Sequence, residues 1–430
     1  MSAKEYKKMK RKKWMMMVCL VMGFWLVFSL QVAFGVTLRF AHSTTGGAQR
    51  IVLNKIIAAF EQMYPDVKVK EIVQDSDVYE DEGLITLVQS KTPPDVYFQW
   101  GGDLVRLYAE SGFGADLTAV LEKGGWKDTF LDAAWPDAMY EGKIYLIPTN
   151  LDVTTVLWYN EVMFEEAGVT APETWSEFMN VCAKLKENGI TPVIVGNKEL
   201  WPLGNWAGHI VGNAGGADLY DKVFTLKEDF ANPDFIRAFG LFEEMAEKGY
   251  FNEGMNGMDA DPGMMGFFQG FAAMHPIGSW LVPEALTSAP EDFRYSAFNT
   301  PAISWGKGEQ PSIIGLSTGY MIHAESPNFD VAVSFLRFFT SLESQILQAE
   351  AGDFSSVKGV MEMAEIDPNT VLLAQIFRDA VTIFAPPDTG YPVEIADTFY
   401  QGAAFVAGGV KSAEEALEWV DAQLEARRQR

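Results

Sequence analysis

The chain has 430 residues, of which 58 are acidic, 33 basic and 4 histidine, for a net charge of −25 with 48% hydrophobic residues. An acidic field of this kind repels polyanions, so nucleic acid and anionic head groups are disfavoured as partners and a neutral or cationic ligand is expected. Two cysteines (Cys19, Cys182) and four scattered histidines (His42, His209, His275, His323) give neither a disulfide framework nor metal-ligand spacing, so no cofactor and no metal are expected.

Lys4, Lys7, Lys8, Lys10, Arg11, Lys12 and Lys13 precede an almost unbroken apolar run from Trp14 to Leu30, and Ala33-Phe34-Gly35 follows. That order reads as a secretory signal over residues 1–35, cleaved after Gly35 and addressing the chain to the periplasm or cell surface. The run is longer than a usual signal core, which leaves an uncleaved membrane anchor as the alternative. Cleavage would remove seven basic residues and one acidic residue, moving the net charge from −25 to −31. What remains exceeds what one core usually organises, and two domains are expected.

From Val36 the chain reads as strand, helix and strand. Val36, Leu38 and Phe40 alternate with polar positions; Val52, Ile56, Phe60 and Met63 recur at helical spacing; Val67 to Val73 alternates again. Between the first two elements lies a polar loop, Ser43 to Gly47. A third strand, Asp95 to Gln99, runs into Trp100-Gly101-Gly102, and the C-terminal ends of such strands are where open α/β sheets bind ligands. Further on, Ile144 to Ile147 leads through Pro148-Thr149-Asn150-Leu151-Asp152 into the β-branched and aromatic stretch Val153 to Tyr159. Thr174 and Glu177 form a capping box for the next helix, and Pro192 to Val195 reads as the strand after it. Pro233 opens a helix striped by Phe235, Phe239, Phe242 and Met245, after which Ala272 to Pro276 begins another strand. A helix over Phe329 to Leu342 and a last one capped by Ser412 with Glu415 complete the order.

Five stretches in series resemble the family of extracellular solute-binding proteins of carbohydrate importers. They are Thr92-Pro-Pro-Asp-Val-Tyr-Phe-Gln-Trp, Gly142-Lys-Ile-Tyr-Leu-Ile-Pro-Thr-Asn-Leu-Asp, Trp158-Tyr-Asn-Glu-Val-Met-Phe-Glu-Glu-Ala-Gly, Pro172-Glu-Thr-Trp-Ser-Glu-Phe and Gly270-Phe-Ala-Ala-Met-His-Pro-Ile-Gly-Ser-Trp. The resemblance implies a two-lobed α/β periplasmic-binding-protein fold of type II, with discontinuous lobes that close about a hinge. It implies a first lobe of residues 36–149 plus about 279–340 and a second of 150–278 plus about 341–430. Crossings then fall near Thr149 to Asp152, Met274 to Gly278 and Phe339 to Ser341. The implied partners are a carbohydrate ligand and the permease subunits of an ABC importer with its ATPase, met by a monomer. Where relatives often carry a Pro- or Arg-containing pocket loop, this chain has Gly352-Asp-Phe-Ser-Ser-Val-Lys, and no site residue is assigned there.

A sugar presents apolar C–H faces and a rim of hydroxyls, so its site needs aromatic platforms with amides and carboxylates around them. Trp100, Trp201, Trp206 and Trp280 fall beside Gly, Asn or Asp and are the platform candidates, whereas Trp126, Trp135, Trp175, Trp305 and Trp419 read as core. For the rim the candidates are Ser43, Thr44, Gln99, Asp103, Asn150, Asp152 and Asn205, with backbone contacts from Gly315 to Gly319. Asp103 also suits a helix cap, and Asn150 and Asp152 suit a hinge.

Gly315-Leu-Ser317-Thr-Gly319 matches an esterase pattern, but Tyr320-Met-Ile-His323 continues as strand where a nucleophile elbow needs a helix. No catalytic residue is assigned. The acidic run Asp75, Asp77, Glu80, Asp81, Glu82 lacks the register of a calcium loop and reads as a solvated helix start, and Asp259 and Asp261 read as loop residues. The rival from another class is a secreted glycoside hydrolase, which needs two carboxylates flanking a bond. A sugar-sensing partner of a membrane receptor differs from an importer component only in its docking surface.

Overall fold

The computed structural model describes residues 35–428, so the expected leader, Gly35 apart, lies outside the described residues. Period-two burial sets β1 (Val36–His42), where Leu38 and Phe40 are buried and Thr37 is exposed. α1 (Gly47–Met63) buries Val52, Leu53, Ile56, Ile57 and Phe60, the apolar stripe of a half-buried helix. β2 (Val67–Val73), short helical segments between 76 and 88, β3 (Val96–Trp100) and α2 (Asp103–Glu110) follow. β4 (Ile147–Val153) then passes into β5 (Val156–Asn160).

Next come α3 (Trp175–Glu187), α4 (Trp201–Gly215), α5 (Pro233–Glu247), α6 (Ala260–Phe268), β6 (Met274–Ile277), α7 (Leu281–Ser288) and β7 (Tyr295–Phe298). The long strand β8 (Ser312–Ile322) leads to α8 (Phe329–Phe339), α9 (Leu342–Ala349), β9 (Thr382–Phe384), α10 (Val393–Ala407) and α11 (Ala413–Arg428). Thr174 and Glu177 make the expected capping box on α3. Ser412 and Glu415 exchange the same pair of bonds ahead of α11. The strand expected over Pro192 to Val195 is reduced to single bridges from Val193 to Phe251 and Met274.

Two sheets organise the two lobes. The larger has the order β9-β8-β3-β1-β2, with β4 also pairing with β8. β1 and β3 run parallel, while β8 runs antiparallel to both β3 and β4. The smaller sheet is the antiparallel set β6-β5-β7. α4 packs on its strand β6, and the buried faces of α3, α4 and α5 join Phe399 and Tyr400 of α10 in one aromatic core. α4 is buried on every side from Pro202 to Ala214.

This topology moves two of the three expected crossings. β7 lies in the sheet of β5 and β6, so the chain does not leave the second lobe at Met274 to Gly278; it returns along β8. α9 packs against α8 and α1, so the chain is still beside the first lobe's helices after Ser341. Those places rest on the family resemblance, whereas hydrogen-bond partnership between distant strands decides lobe membership. Among the described residues no helix is long and apolar enough to cross a membrane.

Candidate functional site

The floor of the candidate site follows from strand register. Thr318 of β8 has Trp100 of β3 on one side and Asn150 of β4 on the other. Tyr320 is opposite Phe98, and Leu316 is opposite Asp152. Paired residues share a face and side chains alternate, so Phe98, Trp100, Asn150, Asp152, Leu316, Thr318 and Tyr320 all line one cleft of about 560 Å3. That volume lies within the roughly 300–1,000 Å3 range of small-molecule sites. Between Thr318 and Tyr320, Gly319 lets β8 approach β4 closely: a Cβ there would sit 2.0 Å from the Ile147 carbonyl oxygen.

Helix ends and turns supply the facing wall. Trp201 begins α4 and Trp280 immediately precedes α7; their rings meet edge to face at 5.6 Å. The Trp280 ring lies on Gly278, where a Cβ would come within 2.1 Å of it, which gives the Gly-Ser-Trp order a steric reason. Trp201 also donates its indole N–H to Asp77 Oδ1 at 3.1 Å, joining α4 to the segment after β2. Asn205 stands one turn beyond Trp201 on the same helix face. It accepts from the Tyr400 hydroxyl at 3.1 Å and donates to Asp388 Oδ2 at 3.3 Å.

The buried carboxylates hold their protons more tightly than usual. Asp152 accepts from the Ser279 and Thr318 hydroxyls, both at 2.9 Å, yet burial still raises its pKa. Burial pushes Asp353 up to about 7; the Asp152 charge adds to this, and the amide of Gln49 donates to it. Asp388 is pushed up to about 6, again by burial.

Of the twelve candidate positions, Ser43, Thr44, Trp100, Asn150, Asp152, Trp201, Asn205 and Trp280 line the cleft. Gln99, Asp103, Trp206 and Gly315 do not. Gln99 is 1% exposed on the opposite face of β3 and accepts from the Trp100 amide, because neighbours on a strand cannot share a face. Gly315 likewise faces away, pressed against the Asp152 carbonyl. Asp103 neither lines the cleft nor caps α2: it forms a two-point ion pair with Arg106 one turn on. Trp206 lies five positions after Trp201, about 140° round the helix, and is packed against Trp175, Phe178 and Phe242 in the core.

Several cleft residues were not among the candidates. Thr318 falls in the Gly315 to Gly319 span expected to give backbone contacts, but its side chain and that of Tyr320 just beyond were not expected; between them and Leu316, Ser317 is buried in mid-strand, donates to the Ala134 carbonyl and faces away from the cleft. Strand alternation from Ser317 could have found them. Asp353 and Phe354 come from the divergent loop at 352–358, to which no site residue had been given. Asp75, Asp77, Glu80 and Asp261 line the cleft too: the acidic run begins a helix as expected, with an exposed Asp75 accepting from the Asp77 amide, and that helix start also forms part of a wall. No local signal shows that such a helix start faces a cleft.

Residues 46–346 match the model of the bacterial extracellular solute-binding protein family. A multiple sugar-binding protein of Streptococcus mutans is 25% identical over 72% of this chain and 73% of its own length. An uncharacterized ABC transporter extracellular-binding protein of Pyrococcus horikoshii is 25% identical over 55% of each chain. For this and a second Pyrococcus protein, the chain spans about half the length of the curated relatives it matches. The structure of a chitin oligosaccharide binding protein superposes with a TM-score of 0.84 at 24% identity, covering 92% of this chain and all of the other. With both the sequence match and the two-lobed cleft in hand, the chain belongs to the bacterial extracellular solute-binding protein family.

Proposed function

We propose that the chain is the extracytoplasmic receptor of an ABC-type carbohydrate importer: it closes its lobes over a sugar and presents the closed form to a membrane permease driven by an ATPase. The observation that carries this reading is the convergence of Trp100, Trp201 and Trp280, from three separate elements, on a cleft rimmed by amides, hydroxyls and carboxylates. Aromatic rings suit the C–H faces of a sugar, and the polar rim suits its hydroxyls. The names of relatives support it, among them a multiple sugar-binding protein and an alpha-glucosides-binding periplasmic protein.

Ser43, Thr44, Trp100, Asn150, Asp152, Trp201, Asn205 and Trp280 form the ligand set, joined by Thr318 and Asp353. The chain acts as an exported monomer and performs no chemical step on the sugar. Closure requires a ligand that contacts the closed form better than the open one, and groups carried by both lobes meet that need.

A thermal-shift screen of the chain from Val36 onward tests this against saccharides, polyols, amino acids and peptides, followed by calorimetry with Trp280→Ala. The expected result is stabilisation by a saccharide that is weakened by the substitution and recovered intact after prolonged incubation. Cleavage of the saccharide, or stabilisation by non-sugars alone, would overturn the proposal.

A further inference from the structure

Eight carboxylates line the cleft, and among the described residues no lysine, arginine or histidine does. Asp75 follows β2, Asp261 and Glu284 belong to α6 and α7, and Asp152 and Asp353 lie at the floor. None of these five, nor Asp388, forms an ion pair among the described residues. The site also leaves polar atoms waiting. Asn150 Oδ1 has no donor, and the hydroxyl of Thr389, a residue only 5% exposed on the cleft wall, has no partner. Buried polar atoms of this kind are usually satisfied, so an orphaned acceptor beside uncompensated carboxylates indicates a donor brought by the ligand.

Taking the carbohydrate-receptor reading as its basis, we infer that the ligand is an amine-bearing, positively charged saccharide, and that the cleft is built against acidic ones. A neutral sugar can donate hydroxyls to carboxylates but leaves their charge uncompensated. Asp75 stands beside the first lobe's strand β2, whereas Asp261 comes from α6 beside the second lobe's sheet, so closure draws like charges together. An ammonium group between the lobes relieves that repulsion in the closed form and not in the open one, which is the differential contact that closure needs.

The proton affinities of the same groups agree with this field. Burial first, then a neighbouring carboxylate, raises the pKa of Asp261 beside Asp75, of Glu284 beside Asp261 and of Asp353 beside Asp152. The overall charge of −25 extends the attraction beyond the cleft and speeds the capture of a cation.

Matched sets of saccharides that share stereochemistry test the inference: glucose, glucosamine and glucuronate, with their galacto and manno counterparts, as monomers and short oligomers. Each is titrated calorimetrically into the chain in the presence of a chelator. The expected result is that one amine binds about ten-fold or more tighter than its neutral twin, as a charge-assisted hydrogen bond implies, that its uronate does not bind, and that added salt weakens the amine alone. In Asp261→Asn with Glu284→Gln, the ratio of amine to neutral affinity falls toward one. A neutral twin that binds as tightly as the amine, or a uronate that binds at all, overturns this inference and leaves the receptor reading standing. Failure of every saccharide, whatever its charge, overturns both.

Discussion

The two faces of the cleft are made by different means. The floor is sheet: Trp100, Thr318 and Asn150 stand in one row because β8 pairs with β3 and β4 at the same residue. The facing wall is a set of helix ends and turns that bring Trp201, Asn205, Trp280 and Asp388 from separated parts of the chain. Backbone ladders fix the floor, and a change there meets carbonyl oxygens; packing behind the wall fixes the wall, and a change there meets side chains. Position along a helix therefore matters more in the wall than residue type, as Trp201 and Trp206 demonstrate.

That contrast breaks most visibly in the core behind the wall. Trp206→Ala should cost about 3–5 kcal/mol of stability, the loss expected for a buried aromatic side chain, with the affinity of the folded fraction nearly unchanged. Chemical denaturation and calorimetry on one preparation check it, and a selective loss of affinity would place Trp206 in the site. Trp280→Ala should do the reverse, weakening saccharide binding by about 2 kcal/mol or more, roughly thirty-fold, with a small change in melting temperature.

Smaller effects sharpen the comparison. Trp201→Phe keeps a ring beside Trp280 but removes the bond to Asp77, and should weaken binding by about 1 kcal/mol, the net worth of one hydrogen bond. Small-angle scattering should then show a larger open fraction at a fixed ligand concentration. Asp353→Asn addresses the floor. The native carboxyl has its pKa raised to about 7, above the unfolded value, so it favours the native state while protonated and that contribution is lost as pH rises from about 4 through 7. The variant should therefore melt about 2 °C or more above the parent at pH 8 without ligand, with the gain shrinking as pH falls toward 4. An equal gain at both pH values would remove the buried charge as its cause.

Much of the architecture was legible in the chain. Alternation marked β1 and β2, apolar stripes marked α1 and α5, and capping boxes marked the starts of α3 and α11. These signals are local, and each rests on residues within a turn or two of one another. Lobe boundaries were not legible, because β7 pairs with β5, and β8 with β3 and β4, across more than a hundred residues.

At the site, the sequence by itself determined the residue types: tryptophans beside glycines and amides near strand ends, an excess of acid, and the order of segments that carries the family resemblance. It also held, in strand alternation, the reason Gln99 cannot share a face with Trp100. Only the tertiary structure decided that Asp353 and Asp388 meet the floor and wall, that the acidic run after β2 faces the cleft, and that Trp206 turns into the core. Those outcomes depend on which faces pack together across long stretches of chain, and side-chain identity alone carries no record of a distant partner.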